Sequence, residues 1–379
     1  MWSKMLSEKR IVLGVSGGIA AYKSVEISRR LVDAGAFVSP IMTSAAKKFI
    51  GEVTLSALAS EPVKSSLWDD DDPIPHTTLG QQADLILVAP ATAKLIGTYA
   101  AGISNDLLSA TLLATRAPVI LCPAMHTEMW EHPAVQDNIN TLKRRGVVIV
   151  DPEDGILAGG DLGKGRLAGV EAILSEVEST LTKKDLSNLK LLITAGGTRE
   201  PIDPVRYITN KSSGKQGYAL AKAAHLRGAE VTLVTTMPDD APFGVEVLCA
   251  ETASDMRNVV MGIQSEYDVI IMAAAIADFR PAEISEQKIK KTKGSTNLEL
   301  ENTHDFLIDL GKGKRPEQTI VGFAAETEHL EENALEKLER KHLDLIVANN
   351  VSHPGVGFSY DTNEVTIMSQ DSKWTLPLS

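Results

Sequence analysis

The segment RIVLGVSGGIAAYKSVEISRRLVDAGAFVSPIM, residues 10–42, decides the fold class. Arg10 to Val15 is a short apolar run of strand length, and Ser16-Gly17-Gly18 breaks it. Ala21, Val25, Ser28 and Val32 then recur at helical spacing, and Gly35 closes the helix as a left-handed cap. Ala36 to Met42 reads as the next strand. A helix crossing between two strands makes them parallel neighbours. Asp84 to Ala89 is a continuous apolar run, as expected of a strand buried on both faces. Val119 to Cys122 and Val147 to Val150 are further strands. Residues 151–169 are rich in glycine and read as a mobile or ligand-contacting loop that ends the first module. Glu171 to Thr182 is expected to be a helix, followed by a linker over 183–188.

The pattern restarts at Lys190. Leu191 to Thr194 is a strand, Gly214 to Arg227 a helix and Val231 to Thr235 a strand. Asp268 to Ala275, Thr319 to Phe323 and Leu343 to Ala348 are later strands, with a charged amphipathic helix from Glu328 to Lys341. Residues 364–367 and 374–378 suit a terminal hairpin. The chain is therefore expected to be α/β, with two doubly wound parallel-sheet modules over residues 1–188 and 189–379.

Composition narrows the function. The 379 residues carry a net charge of −12, which argues against a general nucleic-acid partner. No apolar run reaches the ~18 residues of a membrane span, and Met1 to Arg10 holds no leader-like apolar stretch. The two cysteines, Cys122 and Cys249, lie in apolar stretches and read as buried thiols of a cytoplasmic protein. The four acids Asp69 to Asp72 read as a solvated loop.

Several loops sit where α/β proteins bind ligands. Ser16-Gly17-Gly18-Ile19 lies between a strand and a helix, where free N–H groups suit a phosphate. It is not the G-x-G-x-x-G fingerprint. Ala89-Pro90-Ala91-Thr92-Ala93 follows the most apolar strand, and its small residues leave room for a flat ring. His76 has no second ligand at metal spacing. Pro123-Ala124-Met125-His126-Thr127-Glu128-Met129-Trp130 again follows a strand. In the second module, Thr194 to Tyr207 is a long loop, and Asn210-Lys211-Ser212-Ser213-Gly214-Lys215 opens a helix without being a Walker loop. Ala273-Ala274-Ala275-Ile276-Ala277-Asp278 puts small residues and an acid at a strand end. Lys288 to Lys293 carries four lysines in six residues, able to close over a triphosphate.

These residues resemble one family over nearly the whole chain. Ser-Gly-Gly-Ile-Ala-Ala-Tyr-Lys at 16–23, Ala-Pro-Ala-Thr-Ala at 89–93 and Gly-Ile-Ser-Asn-Asp-Leu-Leu at 102–108 are similar to the flavin-dependent phosphopantothenoylcysteine decarboxylases. The run from Ala195 to Tyr207, then Asn210 to Lys215, Lys288 to Lys291 and Val321 to Thr327 resembles the phosphopantothenate–cysteine ligases. Together they resemble the bacterial bifunctional enzymes of coenzyme A biosynthesis.

The resemblance implies a flavodoxin-like first module that binds FMN against Gly17, Gly18, Ile19, Thr43, Ser44, Ala89, Pro90, Ala91, Thr92, Asn105 and Asp106. There the substrate thiol is oxidised to a thioaldehyde, CO₂ leaves, and the ene-thiol is reduced; His76 matches the family's active-site histidine. It implies a Rossmann-like second module in which CTP, with Mg²⁺, meets Ala273, Ala274, Ala275, Asp278, Lys288, Thr303, His304, Asp305, Phe306, Phe323, Lys337 and Lys341. Asp278 is the candidate metal ligand. The carboxylate of 4′-phosphopantothenate attacks the α-phosphorus, and the cysteine amine then displaces CMP from the acyl-cytidylate. Asn210 matches the residue that holds this intermediate, Arg206 lies in the same substrate loop, and Lys288 matches the catalytic lysine. A trimeric first module and a dimeric second one imply a homo-oligomer, with a dodecamer as the combined form.

The chain departs from the family pattern at two positions. His126 stands where the family has asparagine, and Gly159 stands where a flap cysteine supplies the last proton. The imidazole can serve as donor to the substrate carboxylate, and His126 and Asp161 are the candidate acids for the last step. Two other readings stay open: a ligase whose flavin-bound first module is impaired by Gly159, and a mainly regulatory flavoprotein. Relatives usually continue with a helix after Leu378, so the C-terminal edge is expected to be lightly covered.

Overall fold

The computed structural model describes residues 6–68, 72–290, 297–350 and 362–378. Asp69 to Asp71 of the acidic run and Lys291 to Lys293 of the lysine cluster lie outside the described residues. The chain divides into two compact units, Met1–Thr182 and Lys183–Ser379. Leu186 and Leu189, on either side of the expected 188/189 boundary, both pack against a core of the second unit.

The first unit holds strands β1 (Arg10–Val15), β2 (Phe37–Met42), β3 (Leu85–Ala91), β4 (Val119–Pro123) and β5 (Val148–Ile149). They form one parallel sheet in the order β2-β1-β3-β4-β5, the flavodoxin-like arrangement. Helices α1 (Lys23–Asp33), α2 (Glu52–Ser56), α3 (Pro75–Gln82), α4 (Ala93–Ala100), α5 (Leu107–Ala114), α6 (Thr127–Glu131), α7 (Pro133–Arg144) and α8 (Val170–Leu181) cover it. The period-2 pleat explains why the central strands are apolar throughout. Ile11, Leu13, Val15, Leu85, Leu87 and Ala89 enter one core, while Val12, Ile86, Val88 and Ala91 enter the other.

Three expectations need correction here. The buried face of α1 is Ser24, Ile27, Ser28 and Leu31, with Val25 and Val32 only half-buried. Residues 19–22 form a tighter 3₁₀ turn, which shifts the helical phase, and the Ser24 hydroxyl is satisfied by donating to the Ala89 carbonyl at 2.6 Å. The glycine-rich segment is an antiparallel hairpin, β6 (Glu153–Ile156) and β7 (Leu162–Arg166). Its glycines serve close approach: a Cβ on Gly165 would lie 2.2 Å from the Met125 carbonyl oxygen. Cys122 is buried and its thiol is pushed up by burial, but Cys249 is exposed at the end of an edge strand.

The second unit holds β8 (Lys190–Ala195), β9 (Arg199–Pro201), β10 (Tyr207–Thr209), β11 (Glu230–Thr235), β12 (Glu246–Cys249), β13 (Val269–Met272), β14 (Phe279–Pro281), β15 (Leu300–Asn302), β16 (Thr319–Glu326), β17 (Leu345–Asn350), β18 (Val365–Met368) and β19 (Lys373–Leu376). Its helices are α9 (Lys215–Leu226), α10 (Ala253–Ile263), α11 (Phe306–Lys312) and α12 (Leu330–Arg340). The main sheet runs β12-β11-β8-β13-β16-β17-β18-β19. Through β17 the strands are parallel in the Rossmann order, and the expected terminal hairpin adds β18 and β19 antiparallel. Leu191, Ile193 and Ala195 face one core, and Leu192 faces the other with Ile270, Ile320 and Ile346. The long loop after β8 contains the small antiparallel pair β9–β10, and β14 pairs with β15. β13 is shorter than the apolar run suggests, because Ala275 bonds to the Gly196 and Thr198 backbone instead. No helix among the described residues is long and apolar enough to cross a membrane.

Candidate functional site

In the first unit, the strand order reverses at β1, and a cavity of about 610 Å³ opens at the carboxyl ends of β1 and β3. Ser16 staples the turn to β3: its hydroxyl donates to the Pro90 carbonyl at 2.8 Å and accepts from the Thr92 N–H at 3.0 Å. Gly17 faces the neighbouring turn, where a Cβ would lie 2.3 Å from that of Ala45. Gly18 is open, with only Thr92 near. Gly17, Gly18, Ile19, Thr43, Ser44, Thr92, Asn105 and Asp106 all line this cavity. Thr92 caps α4, and Asp106 caps α5 in a reciprocal box with Ser109. The cavity volume suits a ligand of cofactor size, and the open backbone at Gly18 leaves room for one.

Ala89, Pro90 and Ala91 do not line the cavity. They are buried strand residues behind its wall, and Pro90 acts through the carbonyl that holds Ser16. His76 does not line it either. It is half-buried on α3, with Nδ1 enclosed and unpartnered among the described residues.

The other wall comes from the segment after β4 and from the β6–β7 hairpin. His126 lines the cavity with Met125, Met129, Gly159 and Arg166. Its Nε2 lies 3.1 Å from Asp161 Oδ2, and its Nδ1 pairs with Glu128. The Asp161 bond, and then the Glu128 bond, raise the imidazole above its ordinary range. Lys23 shares the cavity with Arg166; burial, then Arg166, lowers its ammonium. Neither cation was singled out from the sequence, although Lys23 closes the Ser-Gly-Gly-Ile motif and Arg166 lies just past the glycine-rich loop.

In the second unit the order reverses at β8, and loops at the ends of β8 and β13 are laced together. Ala275 donates to the Gly196 carbonyl at 2.8 Å, and Ala277 donates to the Thr198 hydroxyl at 3.0 Å. Asn210 reaches the same place, its amide donating to the Ile276 carbonyl at 3.1 Å. Asp203, whose side chain is fully buried, is the hub. Its carboxylate accepts from the N–H groups of Val205, Arg206 and Ile289 and from the Arg206 guanidinium. The guanidinium bond above all, and then those N–H groups, hold the carboxyl far below the usual range. Arg206 also donates to the Ile289 carbonyl at 2.8 Å. The segment bearing exposed Lys288 is thus fastened to the loop that leads to Asn210.

Ala273, Ala274 and Ala275 are half-buried, and Asp278 is exposed. The Thr303 N–H donates to the Asp278 carbonyl at 2.9 Å, bringing the start of the 303–306 turn alongside. His304 pairs with Asp309 at 2.6 Å and Asp305 with Lys341 at 2.9 Å. Lys337 is held by Glu326 at 2.5 Å, and Phe323 is half-buried on β16. Phe306 is 1% exposed and belongs to the core, so it offers packing rather than side-chain contact. No cluster of three or more His, Cys, Asp or Glu side chains able to hold a metal occurs among the described residues.

Two family models match the chain. Residues 186–379 match the DNA/pantothenate metabolism flavoprotein C-terminal domain, and residues 2–182 match the flavoprotein domain. The chain is 46% identical to the coenzyme A biosynthesis bifunctional protein CoaBC of Mycobacterium bovis, covering 96% of this chain and 91% of the relative. It is likewise 46% identical to the CoaBC of Bacillus subtilis, covering 99% of this chain and 94% of the relative. The solved C-terminal domain of a CoaBC is 40% identical over 52% of this chain and 89% of that one, with a TM-score of 0.43. With both family models in order and relatives matched almost end to end, the chain belongs to the bifunctional coenzyme A biosynthesis proteins, enzymes that pair a phosphopantothenoylcysteine decarboxylase unit with a phosphopantothenate–cysteine ligase unit.

Proposed function

We propose that the second unit joins 4′-phosphopantothenate to cysteine at the expense of CTP. The observation that carries this reading is the Asp203 hub, which ties the Lys288 segment to the Asn210 loop beside Ala273–Ala275. Phosphoryl transfer needs placed charge more than covalent help. Lys288, exposed, neutralises the triphosphate, and Arg206 positions the substrate loop. Asn210 donates to the acyl oxygen of the cytidylate, exchanging its bond to Ile276. The CTP region extends over Ala273, Ala274, Ala275, Asp278, Thr303, His304, Asp305, the Phe306 backbone, Phe323, Lys337 and Lys341. Mg²⁺ accompanies the triphosphate, with Asp278 as its candidate ligand.

In the first unit, Gly17, Gly18, Ile19, Thr43, Ser44, Thr92, Asn105 and Asp106 would hold FMN, with Ala89, Pro90 and Ala91 as the wall behind. Bound there, FMN would supply two-electron oxidation of the substrate thiol and reduction of the ene-thiol. His126 orients the substrate carboxylate. His76, which does not line its own chain's cavity, serves that of a neighbouring copy in a trimer. Exposed Val53, Trp68, Ile156 and Leu162 suit burial in such an assembly. Dimers of the second unit then build a dodecamer. A cytoplasmic setting fits the two free cysteines, one of them exposed.

Incubation with 4′-phosphopantothenate, CTP and cysteine is expected to release CMP and pyrophosphate and give 4′-phosphopantetheine by mass. Product formation without a nucleotide would overturn the ligase reading. Arrest at the cysteine adduct would favour the second reading, in which Gly159 has cost the first unit its reaction.

A further inference from the structure

His126 stands in the cavity wall between two carboxylates on different elements. Glu128 comes from α6, and Asp161 comes from the tip of the β6–β7 hairpin, 3.1 Å from Nε2. Position 159 is next to this pair. A Cβ built on Gly159 would lie 3.0 Å from Asp161 Oδ2 and 3.8 Å from His126 Nε2. Any side chain at 159 would therefore point at the ground the imidazole already holds.

Of the other titratable side chains that line the cavity, Tyr22, Lys23, Lys94, Asp106 and Arg166, none comes within 4 Å of a Cβ at position 159. Lys23 is lowered by burial, but it donates to the Leu167 carbonyl at 3.4 Å. Asp106 accepts from the Ser109 N–H and hydroxyl as the cap of α5.

We infer that His126 is the acid that delivers the final proton of the decarboxylase reaction, and that Asp161 and Glu128 are its positioning residues. This rests on the decarboxylase reading of the first unit. Reduction of the ene-thiol double bond after CO₂ loss needs a hydride at one carbon, which bound FMN in its reduced form would supply and so return to its oxidised form, and a proton at the other, which comes from Nε2 of the imidazolium. The thiol product is then two hydrogens richer, and neutral His126 regains a proton from solvent. For the transfer, Nε2–H passes its proton to the substrate in place of its bond to Asp161, while Glu128 keeps Nδ1. Two carboxylates favour the imidazolium, so the donor stays charged above the ordinary histidine range. The basic limb of the reduction follows His126 as pH rises through that raised value. Lys23, Lys94, Arg166 and Asp106 are the other charged side chains that line the same cavity.

The test uses the full FMN-loaded chain with 4′-phosphopantothenoylcysteine. CO₂ is counted, and the thiol and ene-thiol products are separated by mass. Wild type is expected to release CO₂ and give thiol. His126→Gln should lower the thiol-to-ene-thiol ratio by ~100-fold, and adding Gly159→Cys should restore thiol. Asp161→Asn should lower the His126 titration midpoint, read by NMR without flavin, and move the loss of thiol product to lower pH. Flavin absorbance of each variant shows that its unit is folded. CO₂ with ene-thiol alone from wild type, an unchanged product ratio in His126→Gln, or an unmoved midpoint in Asp161→Asn overturns the proposal. No CO₂ from wild type overturns the decarboxylase reading itself, and the proposal with it.

Discussion

The two units reach a ligand site at the same topological position by different physical means. In the first, the site is a cavity whose floor is packed strand: Ala89, Pro90 and Ala91 are buried, and Gly17 fits Ala45 so closely that a methyl group has no room. In the second, the residues expected to do chemistry are exposed or half-buried, and hydrogen bonds to the Asp203 hub and to Ile276 arrange them. Shape set by packing resists change until a volume is altered, and then fails abruptly. Shape set by a polar hub depends on the charge state of that hub. The two sites should therefore fail under different perturbations.

The largest effect expected is at Lys288. Lys288→Gln should reduce pyrophosphate release by ~100-fold without changing stability, because the side chain is exposed. Unchanged turnover would remove this lysine from the mechanism and break the contrast on the ligase side. Gly17→Ala tests the packed site. The added methyl meets the Ala45 Cβ at 2.3 Å, so the turn must move, at a cost of about 1–3 kcal/mol. The variant should lose flavin absorbance while CTP-dependent ligation continues; full flavin retention would show that the wall is softer than its packing implies.

The smallest effect at neutral pH concerns Asp203. Its carboxyl is depressed in the folded state, chiefly by Arg206, so its contribution is fully present above the unfolded value of about 3.9. It is lost as pH falls below that toward the folded value. Ligase activity, assayed at neutral pH after brief acid exposure, should survive pH 5 and decline only after exposure below about pH 4. Hydrogen exchange at Ile289 N–H should rise over the same interval. Exchange that rises already between pH 6 and 5 would show that another group holds the loop.

The βαβ pattern of residues 10–42 was legible because strand period, glycine breaks and helix spacing are local properties. Where tertiary contacts reset a local rule, the reading slipped. The 3₁₀ turn at 19–22 put Ser24, Ile27 and Leu31 beside the expected Ser28 on the buried face of α1 and left Val25 and Val32 half-buried. The glycines of 151–169 suited a mobile or ligand-contacting loop; the segment is a hairpin that lines the cavity, with Gly163 and Gly165 lying close against Thr127 and Met125. Phe306 was expected against CTP, but its side chain is buried in the core.

By itself the sequence determined the α/β class, the strand ends that carry the candidate sites, and the motifs that resemble a decarboxylase and a ligase, since each depends on residues close together in the chain. Only the tertiary structure decided that Asp203 fastens Ile289 to Arg206, and that Asp161 meets His126 beside Gly159. Ile289 lies dozens of residues from Asp203 and Arg206, as His126 does from Asp161, and pairing across such distances is set by how sheet and loops pack rather than by any local pattern.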